Sequence, residues 1–244
     1  MIPKKIYYCW FGRKPLPKMA QKCINSWKKY LKDYEIIEIN EDNFDINKCA
    51  YTKEAYEKRK FAFVTDYVRL YVLYNNGGIY RDTDVEVIKN LDCFLSHDAF
   101  SGFENENYVP TGIMASTKNN KVIKKLLEYY DDKHFVLEDF SLDLTTNTET
   151  ITEYFVKKGL KMNNTKQIID GFALYPNDYF CPVNHDDHKL NKTKNTYTIH
   201  WFSGSWMPKK DKLKIKTYQF LKRILGEKNL KKIINKVKHR GENK

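Results

Sequence analysis

"GGIYRDTDVEV", residues 77–87, decides the reading of this chain. Two glycines stop the apolar segment before them, and three acidic side chains then alternate with Arg81, Thr83 and Val85. A strand has a side-chain period of two, so Asp82, Asp84 and Glu86 are expected on one side of it. A bare row of like charges is unfavourable, and something positive is expected beside them.

Immediately upstream, "YEKRKFAFVTDYVRLYVLYNNGG" reads as one long, nearly all-apolar buried helix, with Gly77 and Gly78 as its C-terminal stop. Asp66 and Arg69 stand three apart on one face of it, the spacing of an ion pair. Burying charges is costly unless they are paired or used. Two readings follow for this pair: a salt bridge that anchors the helix, or part of a site.

Working outward, "KKIYYCWFG" reads as a first strand, and a turn at Pro15 and Pro17 leads to the helical "KMAQKCINSWKKYLKDY" and the strand "EIIEIN". This β-α-β opening predicts an α/β protein with helices packed on a parallel sheet. Short strands are expected at "AFSGFEN", "GIMAST" and "GFALYPNDYFCP", and "NNKVIKKLLEYY" is a surface helix with Val122, Leu126 and Tyr129 or Tyr130 inward. Residues 131–150 are polar and poorly periodic, and are read as a loop region open to substrate. "NTYTIHWFSGSW" adds an aromatic, glycine-broken loop.

Composition bounds the answer. The 244 residues, 41% hydrophobic and 15% aromatic, suffice for a real core. The net charge of +12 sits almost wholly at the end: residues 208–244 hold fourteen Lys or Arg against three Asp or Glu, which leaves residues 1–207 nearly neutral. One domain is expected over 1–207, followed by a basic tail over 208–244. In the tail, Tyr218, Leu221, Ile224 and Leu225, then Leu230, Ile233, Ile234 and Val237, recur at helical spacing on either side of Gly226. Such basic amphipathic helices suit an anionic membrane surface; alternatively their apolar stripes dock on the body. The five cysteines are scattered and form no CxxC pair, which argues against a disulfide framework or a zinc site. No leader-like apolar segment opens the chain, so a cytoplasmic protein is expected.

Two carboxylates separated by one residue offer hard oxygen donors suited to Mg²⁺ or Mn²⁺ bridging the phosphates of a nucleotide. The same triplet also occurs in merely solvated acidic loops. Here the helix with Asp66 and Arg69 leads through the glycines to Asp82 and Asp84, and the four charged groups are expected to converge.

"FVTDYVRLYVLYNNGGIYRDTDVEV" resembles the DXD sugar-binding region of glycosyltransferase family 32, related to the glucosylating domains of large clostridial toxins and to bacterial capsule and lipooligosaccharide glycosyltransferases. "IPKKIYYCWFG" is similar to that family's first strand and "IHWFSGSW" to its C-terminal His-Trp-to-Ser-Trp element, so the resemblance spans about residues 1–207. It implies a GT-A fold with a mixed, mostly parallel sheet, and metal-dependent transfer of a hexose from a nucleoside diphosphate, uridine favoured, with retention at the anomeric carbon. It also implies a glycan or lipid-linked acceptor, as in capsule or cell-surface polysaccharide synthesis.

Residue by residue, the resemblance implies that Trp10 stacks on the nucleobase, Tyr80 lines the ribose pocket and Asp82 contacts ribose or sugar hydroxyls. Asp84 ligates Mn²⁺ or Mg²⁺, with Asp82 beside it and Thr83 between. Asp66 accepts hydrogen bonds from sugar hydroxyls while Arg69 orients the sugar and steadies its phosphate. His200 is the candidate third metal ligand, and Ser203 or Ser205 adds an oxygen or holds a coordinating water. Trp206 donates its indole N–H to the departing diphosphate, and Asn147 stabilises the cationic transition state. Core packing is the alternative for Trp10, Tyr80 and His200.

Two rival functions use the same residues differently. A metal-dependent phosphohydrolase or nuclease would use Asp82 and Asp84; a nucleic-acid-binding protein would use the tail. Against the second, residues 1–207 carry almost no net charge and no nucleic-acid motif, so no nucleic-acid partner is expected.

Overall fold

The computed structural model describes residues 1–110, 112–184, 187, 189–204, 217 and 226. The chain divides into two compact units, residues 1–185 with 189–203, and residues 186–188 with 204–244. All elements named below belong to the first. The amphipathic helices expected in the tail, like Ser205 and Trp206, lie outside the described residues.

Strand β1 (Lys5–Cys9), rich in aromatic and β-branched residues, is followed by α1 (Lys18–Tyr30) and β2 (Glu35–Ile39). β2 pairs parallel to β1, so the expected β-α-β opening is present. α1 buries Ala20, Cys23, Ile24 and Trp27, one face at helical spacing. Of the long helix expected from Tyr56, Tyr56 and Glu57 instead end a separate helix, α2 (Ala50–Glu57), and the rest starts at Phe61 as α3 (Phe61–Asn76). Arg59 between them takes a left-handed conformation, φ 57°, which ends α2 and re-aims the chain. α3 stops where expected: the Gly77 N–H bonds back to the Leu73 carbonyl at 2.9 Å. Gly77 and Gly78 both have positive φ, and a Cβ on either would meet backbone at 2.7 or 2.8 Å.

β3 (Gly78–Arg81) enters the sheet beside β1, and β4 (Val85–Val87) leaves it. The acidic stretch is therefore not one strand. Asp82 to Asp84 form a turn, closed by the Val85 N–H on the Asp82 carbonyl at 3.1 Å. The remaining elements are β5 (Ala99–Gly102), β6 (Ile113–Ser116), α4 (Lys121–Glu128), α5 (Asn147–Lys157), β7 (Gln167–Ile169), β8 (Phe172–Tyr175), α6 (Asn177–Phe180) and β9 (Thr198–His200). α4 buries Val122 and Leu126, with Tyr130 rather than Tyr129 inward. The region read as a loop over 131–150 ends in a helix, since Thr146 and Glu149 form a capping box at the start of α5.

Among the described residues the main sheet has seven strands in the order β2-β1-β3-β6-β5-β8-β7, and β4 pairs with β9 in a separate two-stranded ribbon. The sheet is mixed, as expected, but not mostly parallel: β1–β2, β1–β3 and β5–β8 are parallel, while β3–β6, β5–β6 and β7–β8 are antiparallel. Helices cover both faces. One core gathers Tyr7, Cys9 and Tyr80 under α3, α4 and α5; the other gathers Ile6, Tyr8 and Ile79 with Trp27 of α1. Among the described residues no helix is long and apolar enough to cross a membrane.

Candidate active site

The turn after β3 is held from two sides. The Asp82 N–H bonds to the Gly112 carbonyl at 2.9 Å, just before β6. The ribbon then brings β9 against the turn, with His200 opposite Val85 in antiparallel register. This pairing sets His200 Nε2 at 3.3 Å from Asp84 Oδ1 and 3.9 Å from Asp82 Oδ2. The Ser203 N–H donates to Asp84 Oδ2 at 2.7 Å, and the Trp201 N–H to the Asp84 carbonyl at 3.1 Å. Burial opposes ionisation of both Asp84 and His200. His200 and the Ser203 N–H nevertheless hold the Asp84 carboxyl well below the usual range, while Asp84 raises His200 well above its own.

Asp82, Asp84 and His200 each offer a ligand atom within 4.8 Å of the others. Two carboxylates and an imidazole are a donor set for a divalent cation such as Mn²⁺. Gly112 packs directly against this donor set: an added Cβ would lie 2.8 Å from Val85 Cγ2 and 3.0 Å from both Asp82 Oδ2 and His200 Cε1, so a side chain there would crowd the ligand atoms. Glu86 takes no part. Because the turn interrupts the alternation, it accepts instead from Lys22 Nζ and Trp201 Nε1, each at 2.9 Å.

A second cluster adjoins the first. Arg69 of α3 bonds Asp66 at 3.2 Å and Asp82 at 3.4 Å, and its guanidinium stacks 4.7 Å from the centre of the Tyr80 ring. The Tyr80 hydroxyl donates to Asp82 Oδ1 at 3.1 Å. Four of the sequence-predicted residues thus form one continuous network. Asp66 also meets the start of α5: its carboxylate accepts the Asn147 N–H and its carbonyl accepts the Asn147 side-chain amide, both at 3.4 Å. Burial pushes Asp66 up to about 7; Asp82 adds to this, and Arg69 and the Asn147 N–H oppose it.

Buried polar atoms are almost always satisfied, so each one left over calls for an explanation, as a group waiting for a ligand or as a cost to folding. Among the described residues, Arg69 Nε and Asn147 Oδ1 of this site are buried without a hydrogen-bond partner. Trp10 stands at the end of β1, half-buried, with its indole N–H on the Lys14 carbonyl. No hydrogen bond or ion pair joins it to Asp82 or Asp84 among the described residues. Ser203 contributes its backbone N–H to Asp84. Sequence reasoning missed Gly112, the Ser203 N–H and Tyr130, whose hydroxyl receives the Asn147 amide at 3.3 Å.

Residues 17–101 match the family model described as the glycosyltransferase sugar-binding region containing the DXD motif. The matched segment runs from α1 through the Asp82–Asp84 turn to β5. Among individual proteins, the chain is similar to an uncharacterized glycosyltransferase, L373, of Acanthamoeba polyphaga mimivirus, with 30% identity over 172 residues. That similarity covers 64% of this chain and 62% of the viral protein, so the chain spans about three fifths of its relative's length. Similar solved structures include the PaToxG glycosyltransferase, 23% identical over 52% of this chain and 59% of the other, with a TM-score of 0.41. A glycosyltransferase involved in glycosylation of the major capsid of PBCV-1 is 12% identical over 88% and 98%, with a TM-score of 0.48.

Proposed function

We propose that the protein is a GT-A glycosyltransferase that moves a sugar from a nucleoside diphosphate to a glycan acceptor. The observation that carries the reading is the convergence of Asp82, Asp84 and His200 on one point beside the buried Asp66–Arg69 pair. The match to the DXD sugar-binding model over 17–101 supports it. Sugar transfer needs two things at one place: positive charge for the leaving diphosphate and polar groups for a neutral, hydroxyl-rich ring. A divalent ion held by Asp82, Asp84 and His200 would supply positive charge to the diphosphate oxygens.

The chain's own residues do the rest. Arg69 lies between the acidic turn and Asp66, so its planar fork can meet phosphate on one side and sugar on the other. Asp66 accepts from sugar hydroxyls, and the free Asn147 Oδ1 faces positive charge as it grows on the anomeric carbon. Stacking of Trp10 on the nucleobase and diphosphate contacts from Ser205 and Trp206 rest on the resemblance to family 32. Retention, a UDP-hexose donor and a place in capsule or surface polysaccharide synthesis rest on the resemblance to family 32. Contact of the basic segment 208–244 with the inner face of the cytoplasmic membrane rests on its charge and periodicity.

A phosphohydrolase would use the same turn, but it has no need of Asp66 and Asn147 poised for a sugar. Product analysis separates the two: nucleoside diphosphate with an intact sugar marks a transferase, nucleoside monophosphate a phosphohydrolase. The direct test is a screen of UDP- and GDP-sugars for Mn²⁺-dependent thermal stabilisation, worth about 2.7 kcal/mol at a hundredfold excess over Kd. Asp84→Ala is expected to lose that stabilisation. A variant that responds like the parent would remove the metal-site reading.

A further inference from the structure

Glu104 follows β5 and begins the loop that returns to β6. That loop is fixed at three points. The Glu104 N–H closes a turn on the Tyr108 carbonyl at 2.9 Å. Val109 exchanges two hydrogen bonds with the Thr152 hydroxyl of α5, its N–H donating at 3.0 Å and its carbonyl accepting at 2.7 Å. Gly112 then holds the Asp82 N–H and lies against Asp82 and His200. The backbone carrying Glu104 is therefore clamped between the acidic turn and the helix that bears Asn147.

The side chain is treated differently. The Glu104 carboxylate is half-buried, yet it makes no hydrogen bond or ion pair among the described residues, while the charges of His200, Asp82, Arg69 and Asp84 all reach it. It lies outside the group whose ligand atoms converge, so it is not one of the metal-site donors. It also comes from the β5–β6 loop, whereas Asp66, Arg69 and Asn147 come from α3 and α5. A carboxylate held in place, partly desolvated and left without a donor is suited to accept a hydroxyl brought by a ligand.

We infer that Glu104 receives the acceptor: its carboxylate accepts a hydrogen bond from the glycan hydroxyl whose oxygen attacks the anomeric carbon. This rests on the glycosyltransferase reading. In the step, the acceptor oxygen forms the new bond to the anomeric carbon, and the bond from that carbon to the phosphate oxygen breaks with its electron pair. The acceptor proton passes to the departing phosphate oxygen. Glu104 orients the attacking oxygen and ends the step unchanged, so its contribution falls on the acceptor and not on the donor.

The test uses the full chain with Mn²⁺ and whichever nucleotide sugar stabilises it most. Methyl α- and β-glucosides and galactosides serve as probe acceptors, and water as the competing one. Glu104→Ala is expected to lose about tenfold or more in kcat/KM for the glycosides while donor hydrolysis stays within about threefold of the parent. Glu104→Gln, which keeps one acceptor oxygen without the charge, should fall between the two. Unchanged glycoside transfer by Glu104→Ala overturns the inference, as does a parallel loss of transfer and hydrolysis. Loss of Mn²⁺-dependent thermal stabilisation by UDP in the variant overturns it as well, since the role would then be structural or at the donor. Should the parent protein show no Mn²⁺-dependent stabilisation by any nucleotide sugar, the glycosyltransferase reading fails, whatever the Glu104 variants do.

Discussion

Two largely buried arginines, Arg69 in contact with the acidic turn and Arg81 immediately before it in the chain, live in opposite circumstances. Arg69 has Asp66, Asp82 and the face of Tyr80, and these raise its pKa against the effect of burial. Arg81 is 0% exposed, and its three guanidinium nitrogens have no hydrogen-bond partner among the described residues. Its neighbour is the Trp27 ring, 5.8 Å from the guanidinium carbon, and burial pushes its pKa down to about 9. The two lie on opposite faces of the sheet: Arg69 of α3 stacks on Tyr80, which projects into one core, and Arg81 of β3 follows Ile79 toward the other. A buried charge with partners is a working part of a site; one without them is a cost to folding.

Breaking the partnered member should have the largest effect. Arg69→Met leaves Asp66 and Asp82 buried without a counter-charge, and we expect transfer to fall by roughly 10²–10³ and stability by about 3 kcal/mol or more. Kinetics and chemical denaturation check both; a loss of stability with full activity would make Arg69 purely structural.

A pH titration sharpens the comparison next. Because the folded-state pKa of Asp66 is raised to about 7, its contribution to stability is full below the ordinary carboxylate range, declines as pH rises from about 4 and is gone once pH passes about 7. On the proposed reading Asp66 accepts from sugar hydroxyls, and it does so more strongly when ionised, so activity should rise as pH passes through about 7. Asp66→Asn is expected to flatten the fall in Tm between about pH 4 and 7 and to erase the activity limb. A parent Tm that rises with pH across that window contradicts the assignment.

The smallest effect has the opposite sign. Arg81→Met removes an unpaired buried charge at similar volume and is expected to stabilise the protein by about 1–4 kcal/mol with unchanged transfer. A destabilised variant would mean that Arg81 has a partner of its own.

Much of this fold was legible because its signals are local. The β-α-β opening, the inward stripe of α4 and the glycine stop after α3 each follow from residue type and spacing. What escaped was set by tertiary context. The period of two in "RDTDVEV" is equally compatible with a strand and with a turn between two strands, and only the Gly112 and β9 contacts decide for the turn. The Lys58–Lys60 break carries no glycine or proline to announce it. The start of α5 was readable, since Thr146 and Glu149 stand at capping-box spacing within a polar stretch. The residue types of the site were legible as well: Asp66, Arg69, Asp82, Asp84 and His200 do converge. Glu104 and Gly112 were not, because a carboxylate in a loop and a glycine before a strand say nothing until the neighbouring elements arrive.

The ribbon of β4 and β9 also bears on how the chain matures. Asp84 and Ser203 are 119 residues apart, and Asp84 gains His200 and the Ser203 N–H only when β9 returns to β4. A nascent chain emerging from the ribosome would display the acidic turn long before it could grip a cation. On the proposed reading the cation site is thus tied to one late closure event, and Mn²⁺ binding in a fragment series should switch on as β9 and Ser203 are completed instead of growing with length.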